Sequence, residues 1–125
     1  MLGPMCINIV VVDDDAGFRR IATTLLTARG LSVVAESGDG ASALAAVRAH
    51  RPHGLLIDLH LPDLDGLALA RQVSGQDDPP RIVLTSTDRS LWSPEELRGA
   101  GITSFVAKDR LFDADLLSLF APAAP

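Results

Sequence analysis

The sequence predicts an α/β fold built on a parallel sheet with helices on both faces. Two observations carry that prediction. Short, β-branched apolar runs alternate with helical patterns along the whole chain, five of each. The residues able to do chemistry gather where the apolar runs end, and in such sheets ligands bind beyond the carboxyl ends of the strands. The 125 residues, 47% of them hydrophobic, suffice for one domain with one core.

The elements follow in order. "INIVVV", Ile7–Val12, is continuous, short and β-branched, as a fully buried strand should be. "AGFRRIATTLLTARG" places Phe18, Ile21, Ala22, Leu25 and Leu26 at helical spacing, and Gly30 where a C-terminal cap is wanted. "LSVVAE", Leu31–Glu36, is a second strand, and "DGASALAAVRAH", Asp39–His50, an Ala-rich helix stopped by Pro52. "GLLIDL", Gly54–Leu59, is the third strand. It leads to a helix over Asp65–Val73 with an acidic first turn. "RIVLTS", Arg81–Ser86, is the fourth strand. Ser93 as N-cap, Pro94 at the first helical position and Glu96 three residues after the cap start the next helix. "ITSFVAK", Ile102–Lys108, is the fifth strand and Leu111–Phe120 the last helix. The domain therefore runs over 1–120, and "APAAP", Ala121–Pro125, is a Pro/Ala tail or the start of a linker.

Composition narrows the function. Sixteen acidic against 11 basic residues give a formal charge of −5, which disfavours nucleic acid or an anionic membrane surface as a direct partner. No apolar run approaches the roughly 20 residues of a membrane span, and the start of the chain lacks the basic region of a signal peptide. The lone Cys6 allows no internal disulfide, so a cytoplasmic setting is expected, with Cys6 itself a small hydrophobe at a strand edge.

The strand ends carry the chemistry. The first ends in Asp13 and Asp14, the third in Asp58, the fourth in Thr85 and Ser86, and the fifth in Lys108, while Glu36 after the second is expected to be peripheral. Clustered carboxylates repel, and burial adds to the cost of charging them; the ways out are protonation or a bound cation. Carboxylates with backbone carbonyls suit a hard divalent ion, Mg²⁺ above all, because it accepts few protein ligands and keeps its waters. Phosphate oxygen is the usual further ligand of such an ion. Lys108 and the Thr85 hydroxyl would suit other oxygens of one phosphoryl group. A carboxylate so placed is able to attack phosphorus and hold it as an aspartyl phosphate.

These residues, taken in order, resemble the receiver domain of two-component response regulators over essentially the whole chain. The family's acidic pair matches Asp13 and Asp14, and its phosphoacceptor motif reads here as "DLHLPDLDG" with Asp58 as acceptor. Its strand-four hydroxyl is Thr85 in "VLTST", its strand-five aromatic Phe105, and its lysine Lys108. The resemblance implies a flavodoxin-like doubly wound (βα)5 fold with strand order 2-1-3-4-5. It implies Mg²⁺-dependent phosphoryl transfer from a sensor histidine kinase to Asp58, with Asp14, Asp58 and the His60 carbonyl as direct metal ligands and Asp13 acting through water. Thr85 and Phe105 would be the switch pair that changes the surface of the fourth helix, fifth strand and fifth helix. His60 and Thr87 would modulate phosphoryl lifetime. A C-terminal output domain outside this chain and a homodimer formed on phosphorylation complete the expected partners.

In this family the lysine is commonly followed by a cis proline. Here Asp109 follows, and a cis bond to a non-proline residue costs roughly 3–4 kcal/mol, so the peptide is predicted to be trans. The Lys-Asp pair looks like the variant found in regulators with a C-terminal helix-turn-helix.

Simpler roles suit several other residues. Asp15 reads as a helix-start charge. Asp63 and Asp65 lack the spacing of a calcium loop; Asp65 reads as an N-cap, Gly66 as a turn residue and Pro62 as a loop former. His50 and His53 flank Pro52 as solvated helix-end residues, and Trp92 is expected to pack against the fourth helix. A competing function is a haloacid-dehalogenase-like, Mg²⁺-dependent phosphohydrolase with Asp13 as nucleophile and Asp15 two residues on. The chain is short for that fold with a cap. A third reading, an interaction module that is never phosphorylated, is disfavoured because every chemical residue is present.

Overall fold

Alternate residues of the central strands bury against opposite layers of helices, and this explains why those strand sequences are apolar over most of their length. A computed structural model describes residues 6–87 and 92–121. Its order is β1 (Asn8–Val12), α1 (Ala16–Ala28), β2 (Ser32–Ser37), α2 (Gly40–His50), β3 (Gly54–Asp58), α3 (Gly66–Ser74), β4 (Arg81–Ser86), α4 (Pro94–Gly99), β5 (Ser104–Ala107), a 3-10 segment (Lys108–Asp113) and α5 (Leu116–Phe120). The five strands are parallel in the order β2-β1-β3-β4-β5. Ile9, Val11, Leu56 and Val83 pack with Leu25 and Leu26 of α1 and Leu116 and Phe120 of α5. Val10, Val12, Leu55, Ile57, Ile82 and Leu84 face the other way, onto Ala43 and Val47 of α2 and Leu69, Ala70 and Val73 of α3.

Short polar side chains start the helices as local chemistry requires. Asp15, Asp39, Asp65, Ser93 and Asp115 each cap a helix by accepting backbone N–H bonds. Each such cap is worth about 1 kcal/mol. Gly30 follows α1 with φ +89°, the left-handed conformation that ends a helix and that glycine adopts without a Cβ penalty.

Several boundaries differ from the sequence expectation. Asp65 lies outside α3 as its cap, so the first turn holds no acid. Ile21 is 49% exposed despite its helical spacing, and Cys6 is exposed instead of packing at a strand edge. The largest difference is at the end of the chain, where one expected helix is two segments. Leu111, Leu116 and Phe120 are all buried. Five residues of continuous helix would turn Leu116 about 140° away from Leu111, so one unbroken helix would not bury both. The break falls at Ala114, which is extended, and Asp115 restarts the chain as an N-cap. Arg29 of α1 donates to the carbonyls of Phe112 and Ala114 and so satisfies backbone groups that the break leaves unpaired. Residues 122–125 of the expected tail lie outside the described residues.

Candidate functional site

The chain leaves β1 toward β2 on one side and returns to β3 on the other, so a crevice opens between the carboxyl ends of β1 and β3. Asp13 follows β1 directly and Asp58 is the last residue of β3. Both are buried, at 1% and 5% exposure, while Asp14 is exposed. Carboxylate oxygens of Asp13, Asp14 and Asp58 all lie within 4.8 Å of one another.

Asp13 is held from several directions. Its N–H donates to the Ser37 carbonyl at 3.0 Å, its Oδ1 accepts from Asp15 N at 2.8 Å, and its carbonyl accepts from Arg19 at 2.5 Å. Lys108 opens the 3-10 segment just past β5, and its Nζ lies 2.6 Å from Asp13 Oδ2 and 3.4 Å from Asp58 Oδ1. Asp13 Oδ2 accepts no well-aligned hydrogen bond among the described residues, so its contact with Lys108 rests on charge attraction, which needs no fixed angle. The ammonium also sits 4.3 Å from the centre of the Phe18 ring, which favours a cation over its face.

The electrostatics follow from this packing. Burial, and after it the Asp13 charge, push the Asp58 pKa above the usual aspartate value, while Lys108 pulls it down in part. Burial alone would favour the neutral amine of Lys108, but Asp13 and Asp58 outweigh it and hold its pKa above the ordinary lysine value. One ammonium against three carboxylates leaves the cluster short of positive charge. A divalent cation with oxygen ligands fits that donor set.

Thr85 is fully buried and pairs with Asp58 in the β3–β4 register; its hydroxyl donates to the Ile57 carbonyl at 3.4 Å. Phe105 belongs to a different place. It lines a groove with Trp92, Leu97 and Ile102 against α4, and is half-buried there. Trp92 packs into this layer as expected. His60 and Thr87, just past β3 and β4, are exposed. The expected trans peptide at Asp109 is found, since no cis bond occurs among the described residues. Glu36 is peripheral, pairing with Arg19 and accepting from Thr23. Asp15 caps α1. His50 is exposed at the end of α2, but His53 does more than end a helix: its Nδ1 accepts from Asn8 N at 2.9 Å and extends the pairing of β1 with β3 at its start.

Gly66 is glycine for closeness rather than for a turn. It opens α3, and a Cβ there would stand 2.7 Å from the Asp58 carbonyl oxygen. Sequence reasoning missed three participants. The helical spacing puts Phe18 on the apolar face of the first helix, nothing in the sequence points to Arg19, and Asp63 lacks the spacing of a calcium loop. No local signal marks any of them, because each acts on a group that the fold brings from elsewhere in the chain or from a backbone carbonyl.

Comparison with known proteins gives the class. Residues 9–118 match the model of the response regulator receiver domain, and the chain belongs to that family. It is thus a signalling domain of two-component systems with the flavodoxin-like (βα)5 fold. It is 41% identical over 85 residues to response regulator MprA of Mycobacterium tuberculosis, a match covering 67% of this chain and 36% of that protein. It is 29% identical over 114 residues to the chemotaxis protein CheY of Bacillus subtilis, covering 88% and 95%. The solved receiver domain of the putative response regulator NarL from M. tuberculosis superposes with a TM-score of 0.83 at 29% identity, over 93% of this chain and 94% of that one. The chain thus matches about a third of the length of MprA.

Proposed function

We propose that this domain accepts a phosphoryl group from the phosphohistidine of a sensor histidine kinase onto Asp58, in an Mg²⁺-dependent reaction, and thereby changes the surface of α4, β5 and α5. The observation that supports it best is the convergence of Asp13, Asp14 and Asp58 with the Lys108 ammonium at the switch point of the sheet. Asp14, Asp58 and the His60 carbonyl would hold the ion directly, with Asp13 acting through water. The ion would offset the repulsion among the carboxylates and place positive charge beside the phosphoryl oxygens.

In this reading an Asp58 carboxylate oxygen attacks phosphorus, the P–N bond of the donor breaks, and its electron pair returns to the imidazole ring. Lys108 is close enough to Asp58 to bind a phosphoryl oxygen on the product, while its contact with Asp13 keeps it charged and in place. Thr85 exchanges its long bond to Ile57 for a second phosphoryl oxygen. Phe105 sits in the adjacent half-buried layer and repacks in response, altering the groove it shares with Trp92 and Leu97. The same reading gives the domain a cytoplasmic setting. It also gives it an output domain and a phosphorylation-dependent homodimer. NarL of M. tuberculosis, 33% identical over half its length and named a probable transcriptional regulatory protein, supports a transcriptional output.

Acetyl phosphate with Mg²⁺ tests the proposal directly. Intact mass should rise by one phosphoryl group, and Asp58→Asn should abolish the gain. Labelling that survives in Asp58→Asn and is lost in Asp13→Asn would restore the phosphohydrolase reading. Against that outcome, Asp13 is buried, with both oxygens engaged by Asp15 N and Lys108.

A further inference from the structure

The loop after Asp58 is fastened to a helix that carries none of the site's chemistry. Asp63, midway along that loop, accepts hydrogen bonds from Gly40 N at 2.8 Å and Ala41 N at 3.0 Å, the first two amides of α2. The α2 N-terminus has its own cap as well, Asp39, whose Oδ1 accepts from Ser42 N at 2.7 Å. Asp63 thus satisfies the two amides that Asp39 leaves open, and it does so from another part of the chain. A second observation points the same way. A Cβ on Gly40 would overlap the Leu64 side chain and stand 3.2 Å from Asp63 Oδ1, so the loop lies directly on the first residue of α2.

The turn that precedes α2 is fixed to the other half of the acidic cluster. Ser37, the last residue of β2, accepts from Asp13 N at 3.0 Å. On the loop side, His60 and Asp65 pair antiparallel, and Gly66 N donates to the Leu59 carbonyl at 2.7 Å. Asp63 therefore closes a chain of backbone contacts that runs from Asp13 through Ser37 and α2 to the segment Leu59–Gly66.

We infer that Asp63 is a positioning residue for the phosphoacceptor site, setting the loop that follows Asp58 relative to Asp13 and Asp14 by binding the N-terminus of α2. The inference rests on the receiver reading given above. Residues that orient metal-binding groups without touching the metal typically change affinity by about 10- to 100-fold when removed. Asp63 is exposed and water competes for the same amides, so the lower end applies here.

The test compares Asp63→Ala with Asp39→Ala in the full chain. Both remove a cap from the same helix, so both should lower the urea midpoint by similar amounts. Only Asp63→Ala should weaken Mg²⁺ binding, by about tenfold, and slow labelling by acetyl phosphate. Asp63→Asn keeps one acceptor oxygen and should fall between Asp63→Ala and the wild type in both measurements. Unchanged Mg²⁺ affinity in Asp63→Ala, or equal losses in the Asp39 and Asp63 variants, would overturn the inference and reduce Asp63 to a helix cap. A wild type that binds Mg²⁺ but is not labelled overturns the phosphoacceptor reading, and the affinity comparison then still decides the role of Asp63. A wild type that does neither overturns both.

Discussion

Lys108 Nζ lies 2.6 Å from Asp13 Oδ2, although the two residues come from opposite ends of the chain. The sequence suggested Lys108 chiefly as a partner of the phosphoryl group. In the folded domain it is also the counter-ion of a carboxylate that is only 1% exposed. Removing it leaves Asp13 and Asp58 facing each other in a low-dielectric setting, where their repulsion is weakly screened.

Lys108→Met keeps most of the aliphatic stem and removes the charge. It should therefore lower stability near neutral pH by about 2–3 kcal/mol, below the range for a fully buried pair because the crevice admits water. The loss should shrink in acid, as Asp58 takes up its proton, and in millimolar Mg²⁺, which replaces the missing positive charge. Urea titrations at several pH values check it. A loss that stays constant with pH and Mg²⁺ would show that packing on Phe18, rather than charge, is what Lys108 supplies.

Asp58 should show the opposite behaviour. Its folded pKa is raised, first by burial and then by Asp13, above the unfolded value near 3.8. The folded state therefore binds the proton more tightly than the unfolded state, and stability falls as pH rises through the window between the two values. Asp58→Asn removes that loss. Near neutral pH and without divalent ion, the variant should be more stable than the wild type. The advantage should vanish below the unfolded pKa, where Asp58 is neutral anyway. With Mg²⁺ the order should narrow or reverse, because the wild type gains more from the ion. A variant less stable than wild type across the whole pH range would refute this account.

These effects divide along a line that also separates what the sequence disclosed from what it did not. Patterns within a few residues were legible. Asp65 and Ser93 as caps, Gly30 as a helix stop and the buried runs of β1 and β4 all depend on near neighbours. The positions of the candidate site were legible because each sits at a strand end, and strand ends converge in a parallel sheet whatever the loop details. Contacts made by tertiary packing were not. Asp63 binds amides 23 and 22 positions away, and Phe18 meets Lys108 only after α1 and the 3-10 segment pack together. The split of the last helix lies between these cases. Its apolar residues fall in a phase no single helix satisfies, but Asp113–Asp115 holds no glycine or proline to mark a break.

Gly54 is a further tertiary requirement with a measurable cost. It begins β3, and a Cβ there would overlap the Phe120 ring and stand 2.6 Å from Ile9 Cδ1. Backbone on a central strand has little freedom to retreat, so Phe120 must move instead. Gly54→Ala should destabilise by about 1–3 kcal/mol, the usual range for overpacking, and should expose α5 to amide exchange before the rest of the domain. The double variant Gly54→Ala with Phe120→Leu should recover part of the loss. No recovery would place the strain in β3 itself.

On the phosphoacceptor reading, the lifetime of the phosphorylated form depends on water reaching phosphorus in line with the Asp58 oxygen that leaves. His60, two residues after the acceptor, and Thr87, two after Thr85, are both exposed side chains just beyond their strands. An imidazole is bulky enough to screen the approach, and it is also able to orient the water as a base near neutral pH. Thr87 is short and carries no charge with which to hold a water. A base acting from His60 would need a second group to fix the water, and the neighbouring loop residue Asp63 spends its carboxylate on α2. Screening is therefore the expected role, and His60→Ala should shorten the phosphorylated lifetime several-fold while leaving the labelling rate nearly unchanged. Dephosphorylation of purified phosphoprotein, followed over about pH 6 to 8, checks it. A longer lifetime in His60→Ala would make His60 the base and reverse the assignment.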